Sequence, residues 1–313
     1  MRKKNKNSGK SIIITGIICV CIIIISAFYK NQIIYKYYEY ITNKDYGNLT
    51  ENQYFLEDHF NYTENYKSTK IDNKEELINY IYYVLNAGVN YSERYIGNDY
   101  LTYESDVNDL TKDNGKNFKE EISILNNFVH PYNSSNNIKL SYGGKYLFGI
   151  TIKKAYTEKE IKEINEVVDK VIKDNITNNM PVREKIRIIH DYIINNTEYD
   201  KLKNDNIKDT TYKSQTAYGA LIEGYATCNG YADSMAIFLD KLNVINYKIS
   251  NDSHIWNLVY LDGKWYHLDL TWDDPISETN SKRDTYFLIT TKELEKLNDG
   301  THEYNKQIYS EAA

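Results

Sequence analysis

The stretch that decides the fold of this chain is residues 217–242, AYGALIEGYATCNGYADSMAIFLDKL. Its apolar residues recur every three or four positions, at Tyr231, Met235, Phe238, Leu239 and Leu242, which predicts an amphipathic helix. Cys228 stands at the start of this helix, where unpaired backbone N–H groups and the helix dipole favour a thiolate. Free cysteine is also among the residues most often buried. On position alone, Cys228 is explained equally well as a nucleophile and as a small core residue.

A second stretch, residues 254–272, alternates like two strands joined by Asp262-Gly263, a strong two-residue hairpin signal. A two-residue turn at this point fixes the register of the two strands. His254 and Asp269 then lie on one face as diagonal neighbours, about 6–8 Å apart at Cβ. His267 shares this face. A hydrogen bond between an imidazole and the Asp269 carboxylate is therefore expected.

These residue types suit nucleophilic catalysis, because a cysteine, a histidine and an aspartate can act as nucleophile, base and orienting acid. From spacing alone, the base is either His254 or His267. Zinc binding by Cys228, His254, His267 and Asp269 is the alternative. Structural zinc sites usually contain close-spaced ligand pairs, and only His267-x-Asp269 has such spacing here. The sequence therefore favours catalysis, with no metal and no cofactor.

The other histidines carry weaker signals. His190 lies four residues after Ile186 on the apolar face of a predicted helix, which favours a core histidine with its hydrogen bonds satisfied. His59, His130 and His302 have no evident partner in the sequence.

Upstream of Cys228 the pattern predicts a mixture of helices and strands. Helices are predicted at 73–86, 118–129, 157–178 and 182–196, and strands near 99–107 and 137–153. Thr157 and Glu160 have the spacing of a capping box, and Pro181 precedes the next helix. The polar segment 201–214 is predicted to be a surface loop.

The N-terminus predicts a membrane anchor. Residues 12–28, IIITGIICVCIIIISAF, are uncharged, and at about 1.5 Å per residue they span roughly 26 Å, near the lower limit for crossing a bilayer. Residues 1–11 are a basic tail predicted to stay cytoplasmic, so the body is exported to the outer face of the cell membrane. A cleaved signal peptide is the alternative, but Ile25-Ser26-Ala27 is a poor cleavage site. Residues 29–70 are then predicted to form a juxtamembrane stalk.

Cysteine usage and charge limit the possible partners. Cys19 and Cys21 lie in the apolar run and Cys228 is alone in the body, so no internal disulfide is expected there. The net charge is −6, and residues 1–10 hold five basic residues and no acid, so the remainder carries −11. A body this acidic argues against nucleic acid as a partner. The bias toward Ile, Asn, Lys and Tyr, with 32 tyrosines, indicates an AT-rich bacterial genome.

Several motifs together resemble the bacterial transglutaminase-like superfamily. They are residues 217–242, residues 254–275 (HIWNLVYLDGKWYHLDLTWDDP), residues 286–290 (YFLIT) and the upstream helix 185–200 (KIRIIHDYIINNTEYD). The resemblance covers about residues 155–305 and extends more weakly to about 73. It implies an α+β fold with a papain-like core, in which the catalytic cysteine begins a helix packed on an antiparallel sheet. Residues 156–313 would form this catalytic domain, preceded by a smaller α+β region at 71–155.

The resemblance also implies a catalytic triad of Cys228, His254 and Asp269, and so selects His254 over His267. The implied chemistry is a thioester formed with a carboxamide or peptide carbonyl, followed by hydrolysis or transfer to an amine. The substrate would be a surface protein or a cell-wall peptide. The backbone N–H of Cys228 is the natural oxyanion donor, and Gln215 and Tyr218 are candidates for the second. Some members are inactive, so a noncatalytic surface binding module is the alternative.

Overall fold

The structure, a computed structural model, describes residues 7–45, 49–57, 60–68, 70–97, 99–111, 121–143, 147–201, 211–274 and 284–312. The helices are α1 (Asn7–Asp45), α2 (Lys74–Asn86), α3 (Tyr103–Thr111), α4 (Glu121–Ile124), α5 (Glu158–Asn175), α6 (Val182–Asn196), α7 (Cys228–Lys241), α8 (Leu270–Asp273) and α9 (Thr291–Leu297). The strands are β1 (Lys70–Ile71), β2 (Tyr91–Ile96), β3 (Ser135–Gly143), β4 (Leu147–Lys154), β5 (Glu198–Tyr199), β6 (Tyr225–Ala226), β7 (Asn246–Ser250), β8 (Ile255–Leu261) and β9 (Lys264–Leu268). A π-helical turn, Gly219–Glu223, precedes β6.

The elements with clear sequence signals are confirmed. Helix α2 begins at the N-cap Asn73, whose side chain accepts from the N–H of Glu76. Helix α5 begins with the predicted capping box of Thr157 and Glu160. Helix α6 follows Pro181, and the predicted strands at 137–153 are the antiparallel pair β3 and β4. In each case a local signal in the sequence, either a helix cap or an alternating pattern, predicts the element that forms.

The strand predicted near 99–107 is wrong, because this region contains helix α3. Thr102 starts the helix: its side-chain oxygen bonds the Asp106 carboxylate at 2.8 Å, and its carbonyl accepts from the N–H of Asp106 at 2.9 Å. The buried side chains Tyr103, Val107 and Leu110 recur at helical spacing. The apolar side chains of this stretch therefore follow a helical period, not an alternating one.

The helix predicted at 118–129 is only partly present. Residues 118–120 lie outside the described residues, α4 covers four residues, and Leu125–Asn127 form a 3-10 turn. Ile122, Leu125 and Phe128 are buried at a spacing of three, the period of a 3-10 helix. The segment is wound too tightly for a regular α-helix.

Two sheets organise the body. The four-stranded sheet has the order β1-β2-β4-β3, and the three-stranded antiparallel sheet has the order β7-β8-β9. One face of the smaller sheet carries Trp256 and Leu258, which share a core with the N-terminal α+β region. The opposite face carries Val259 and Leu261, which share a core with α5, α6 and α7. Strand β8 is therefore buried between the two halves of the body.

The predicted membrane helix, residues 12–28, lies within α1. No helix of the described part of the chain is long and apolar enough to cross a membrane, so a spanning helix is not confirmed. After residue 28, helix α1 continues with exposed Lys30, Gln32 and Lys36. The predicted export of the body stays a prediction.

Part of the predicted stalk packs on the folded body. Phe60 is buried against the rings of Phe128 and Tyr247, at centroid distances of 5.5 and 4.9 Å. The N–H of Asn61 donates to a Glu311 carboxylate oxygen at 2.6 Å. Residues near 60 thus contact both the core and the C-terminal tail.

A buried ion pair fixes helix α7 to the small sheet. Asp233 of α7 bonds the Lys248 ammonium of β7 at 2.5 Å, and the side chains are only 5% and 4% exposed. The second carboxylate oxygen of Asp233 accepts a hydrogen bond from the Tyr156 hydroxyl at 2.5 Å. The helix that begins at Cys228 is thereby held at a set position over the sheet.

Replacing Lys248 by methionine should lower the free energy of unfolding by about 3–5 kcal/mol, because Asp233 would remain buried without its partner. Urea denaturation measures this change. The matched control is Lys306→Met, which removes a solvent-exposed pair with Glu295 (2.7 Å) and should leave the midpoint unchanged. Adding Asp233→Asn to Lys248→Met should recover most of the loss. A Lys248→Met midpoint equal to that of the control would show that the pair contributes nothing.

Candidate active site

Cys228 is placed by the backbone around the start of α7. Thr227 is the N-cap residue, and its N–H donates to the carbonyl of Ser214 at 2.8 Å. A Cβ at Gly230 would lie 2.4 Å from the same Ser214 carbonyl oxygen, so only glycine permits this close approach. The Cys228 side chain is partly exposed. The thiol is therefore accessible and lies at a helix N-terminus, as predicted.

The predicted hairpin is confirmed, with Leu261 paired to Lys264 and Tyr260 to Trp265. Asp262 and Gly263 both have positive φ (52° and 79°), as a type I′ turn requires. The paired ladder ends at Asn257 and Leu268. The two strands do not pair further, although the register of the turn would allow it, because the chain enters α8 after Leu268.

His254 and Asp269 flank the ends of this ladder and are each fixed by a local cap. The N–H of His254 donates to the side-chain oxygen of Asn251 at 2.9 Å. Asp269 is the N-cap of α8, and its Oδ1 accepts from the N–H groups of Thr271 (2.9 Å) and Trp272 (3.3 Å). The two side chains meet at the same end of the sheet.

The structure brings all three predicted site residues together. His254 Nε2 is hydrogen-bonded to Asp269 Oδ2, and the Cys228 thiol hydrogen-bonds the His254 ring. Asp269 is 1% exposed and His254 is 9% exposed. A partly exposed thiol thus contacts an imidazole that a buried carboxylate orients.

The electrostatics of the pair favour charged forms. Burial alone would lower the pKa of His254, but the Asp269 carboxylate and Cys228 outweigh it and raise the pKa to about 10. Burial alone would raise the pKa of Asp269, but His254 and His302 hold that pKa below its ordinary value. A raised histidine pKa stabilises the fold fully below its unfolded value near 6.5, and this contribution is lost as the pH rises through about 10.

His267, the rival base, is not part of the group. Its Nδ1 accepts from Trp256 Nε1 at 3.0 Å and its Nε2 lies 3.2 Å from Thr291 Oγ1. Burial lowers the pKa of His267 to about 3, so the ring is neutral. The zinc quartet that would include it is not formed.

His302 is a site neighbour that sequence reasoning missed. Its Nε2 lies 2.8 Å from Asp269 Oδ2, the same oxygen that contacts His254. Its Nδ1 lies 2.8 Å from Asp299 Oδ2. The only local sequence signal was an acid three residues before a histidine. The contact with Asp269 depends on the path of the chain after α9, which returns to the end of the small sheet.

His254, Asp269 and His302 could in principle hold a metal ion. In the described part of the chain they form a group whose donor atoms lie within 4.8 Å of one another. Each of these donors is already hydrogen-bonded to another within the group. The same atoms form hydrogen bonds with one another.

Aromatic rings enclose the two imidazoles. Trp256 is 1% exposed and stacks on His254 at 5.5 Å, as expected of a packing residue. Trp272 is 44% exposed and lies edge-on to His254 at 6.4 Å. Tyr286 stacks on His302 at 4.7 Å. These rings cover part of each imidazole and so limit the access of water to the two histidines.

The remaining histidines lie elsewhere. His190 is fully buried between Asp191 (2.9 Å) and Asp273 (3.1 Å), which confirms it as a core histidine with satisfied nitrogens. His130 stacks on Tyr54 and its Nδ1 accepts from the N–H of Tyr132. His59 lies outside the described residues.

A cleft of about 560 Å³ lies beside the site. Its walls carry amide and hydroxyl side chains from both halves of the body, including Asn126, Asn136, Gln215, Thr216, Asn229 and Ser253. Asn229 directly follows Cys228 and Ser253 directly precedes His254. The second oxyanion candidate, Tyr218, has its hydroxyl hydrogen-bonded to Glu163, which raises the pKa of the phenol. Of the two candidates, Gln215 lines the cleft.

Comparisons with known proteins agree with the sequence motifs. Residues 170–270 match the family described as the transglutaminase-like superfamily. One similar solved structure is a TGase, 18% identical, with 48% of this chain and 47% of that chain covered and a TM-score of 0.34. Another is a candidate cysteine protease from Cytophaga hutchinsonii, 13% identical, with 43% and 61% covered and a TM-score of 0.27.

The chain therefore spans about half the length of the first of these structures. Among curated proteins, no sequence matches it. The predicted resemblance is confirmed for the central part of the site, from before α6 to the first residue of α8. The chain contains, at residues 170–270, a domain of the transglutaminase-like superfamily.

Proposed function

We propose that this protein is a cysteine-dependent acyl-transfer enzyme that cleaves a carboxamide or peptide bond. Cys228 is the nucleophile, His254 the acid and base, and Asp269 the residue that orients the imidazole. The observation that carries the proposal is the contact of a partly exposed helix-start thiol with a histidine whose pKa is raised to about 10. Contact with a charged imidazole is the arrangement that activates a cysteine for nucleophilic attack.

The reaction follows from these positions. The Cys228 Sγ attacks the carbonyl carbon, and the electron pair of the C=O bond moves to oxygen. When the tetrahedral species collapses, the C–N bond breaks, the imidazolium of His254 gives its proton to the leaving amine, and a thioester remains. Water or a second amine then attacks the thioester carbonyl and His254 takes its proton. The C–S bond breaks, which releases a carboxylic acid or a new amide and restores the thiolate. Hydrolysis and transfer differ only in this second nucleophile.

The oxyanion requires hydrogen-bond donors near Cys228. The backbone N–H of Cys228, in the first turn of α7, is one. Gln215 is the best second candidate, because it lines the cleft next to the thiol while the Tyr218 hydroxyl is bonded to Glu163. A side-chain amide can donate to the oxyanion without carrying charge.

The cleft favours a peptide substrate. Its exposed walls are rich in amide and hydroxyl groups, which suit hydrogen bonds to a polypeptide backbone and to polar side chains. The charged side chains Asp252 and Glu303 also line it, whereas Lys248 is paired with Asp233. We expect neutral or basic peptides to be preferred over acidic ones.

Iodoacetamide labelling of Cys228 as a function of pH tests the proposal. Mass spectrometry of the Cys228 peptide separates this thiol from Cys19 and Cys21. An enzyme of this type should label at a nearly constant rate from about pH 6 upward, because the thiolate is already formed. A noncatalytic module should instead show the rise of an ordinary thiol, centred near about pH 8.5. The second profile would refute the proposed function.

A further inference from the structure

We propose that Asn251 is a positioning residue of the active site: its amide oxygen holds the backbone of His254, and its amide nitrogen holds the C-terminal tail on both sides of His302. This inference rests on the proposed function, because it concerns how the base of that reaction is placed. Asn251 directly follows β7. The tail is the chain after α9, residues 298–312, and lies beyond the matched family region, which ends at residue 270.

The amide oxygen of Asn251 faces the segment that carries the base. It accepts from the backbone N–H of Ser253 at 3.0 Å and from that of His254 at 2.9 Å. The backbone N–H of Asn251 in turn donates to the carbonyl of His254 at 3.0 Å. The backbone of His254 is therefore held at both its N–H and its carbonyl, directly before β8 begins.

The amide nitrogen of Asn251 faces the tail. It donates to the carbonyl oxygens of Thr301 at 2.7 Å and Glu303 at 2.8 Å. These two residues flank His302, whose Nε2 lies 2.8 Å from Asp269 Oδ2. One side chain thus connects two segments that are distant in the sequence and that each bring an imidazole to the same carboxylate oxygen.

These contacts distinguish a positioning role from contact with the substrate. A side-chain amide has two N–H hydrogens and two lone pairs on its oxygen. Asn251 borders the cleft, but it uses both hydrogens and both lone pairs within the protein. Because backbone N–H groups only donate and carbonyls only accept, these partners also fix which way the amide faces. Asn251 therefore acts through the two backbone segments that it holds.

A second anchor holds the far end of the tail. The Tyr309 hydroxyl accepts from Asn127 Nδ2 at 2.7 Å and lies 3.1 Å from the hydroxyl oxygen of Ser250, the residue before Asn251. The part of the tail between the two anchors lines the cleft with Glu303, Tyr304, Asn305 and Ile308. Loss of the Asn251 bonds should therefore free the near segment of the tail while the far segment stays in place.

Replacing Asn251 by alanine removes both sets of bonds. The rate of Cys228 alkylation by iodoacetamide at pH 6, read on the Cys228 peptide of the full chain, should fall by about tenfold, because the imidazole is no longer held against the thiol. The ring is displaced and not removed, so the loss should be smaller than in a variant that lacks His254. At pH 9.5 an ordinary thiol is ionised, and the loss should be small. A residue that served stability alone would not change the ratio of the two rates.

Asn251→Ser separates the two sides of the amide without adding charge. A serine hydroxyl also accepts from the N–H groups two and three residues later, but it is too short to reach the carbonyls of Thr301 and Glu303. Alkylation at pH 6 should therefore recover most of the rate that Asn251→Ala loses. A glutamate-specific endoproteinase that cleaves after Glu303 measures opening of the tail. Cleavage should be about tenfold faster than wild type in both variants, because it follows the population of opened chain.

The matched control is Asn52→Ala. Asn52 is also half-buried, its Oδ1 accepts from the N–H of Tyr54 two residues later at 2.9 Å, and its Nδ2 donates to the distant Asn133 Oδ1 at 2.7 Å. It therefore joins a local turn to a distant segment, as Asn251 does, but in the N-terminal half of the body. Neither alkylation of Cys228 nor cleavage after Glu303 should change in this control.

The outcomes separate the inference from the proposed function. If the wild-type thiol labels at pH 6 like an ordinary cysteine, the proposed function fails and Asn251 has no base to position. If the wild type labels fast and Asn251→Ala labels equally fast, the inference fails alone. Equal losses of labelling in the serine and alanine variants, or unchanged cleavage after Glu303 in both, would overturn it as well. Urea denaturation confirms that each variant is folded under the assay conditions.

Discussion

Replacing His254 by alanine should lower the rate of Cys228 alkylation at pH 6 by about two orders of magnitude, whereas His267→Ala should keep most of it. The charged His254 ring contacts the thiol and stabilises its anion. Without it, only the small fraction of thiolate present in an ordinary cysteine at pH 6 can react. His267 is neutral, is bonded to Trp256 and Thr291, and has no such contact.

Because both histidines are buried, each variant needs a check of folding by urea denaturation. Labelling is then compared at pH 6 and at pH 9.5. In His254→Ala the loss should be large at pH 6 and small at pH 9.5, since an ordinary thiol ionises between these values. Equal losses in the two variants, or the reverse order, would overturn the assignment of His254 as the base.

The sequence carried most of the site because its signals are local. The Asp262-Gly263 turn sets the strand register by backbone conformation alone, and that register brings His254 and Asp269 to one end of the sheet. The amphipathic stripe from Tyr231 onward places the start of α7 at Cys228. Spacing alone could not decide between His254 and His267. The resemblance selected His254, and its contacts with Asp269 and the thiol agree with that choice.

What the sequence did not predict depends on distant parts of the chain. His302 reaches Asp269 only because the tail after α9 folds back over the sheet, and no local pattern encodes that path. The strand predicted near residue 103 is wrong for a related reason: a strand requires alternating burial, while the buried positions here follow a helical period. Burial, which decides between the two periods, is a property of the whole fold.

Changing Asp269 to asparagine should lower the rate of thiol acylation by about 10³- to 10⁴-fold while leaving the protein folded. The amide oxygen can still accept from the N–H groups of Thr271 and Trp272, so the cap of α8 is kept. The amide nitrogen then faces His254 Nε2 and must donate to it. The ring is forced to carry its proton on Nδ1, where it can no longer take a proton from the thiol, and the imidazolium loses its counter-charge.

Single-turnover acylation by p-nitrophenyl acetate and thermal melting, measured on the same sample, separate this role from capping alone. Asp273→Asn is a matched control, because Asp273 is also buried in α8 but bonds His190 and the N–H of Tyr286 instead of the triad. We expect that control to melt earlier and to acylate at a near-normal rate. The Asp269 variant should stay folded at the assay temperature and show a large loss of rate, even though it loses its ion pair with His254. If Asp269→Asn instead behaves like the control below its melting temperature, Asp269 is only a helix cap and the triad assignment is wrong.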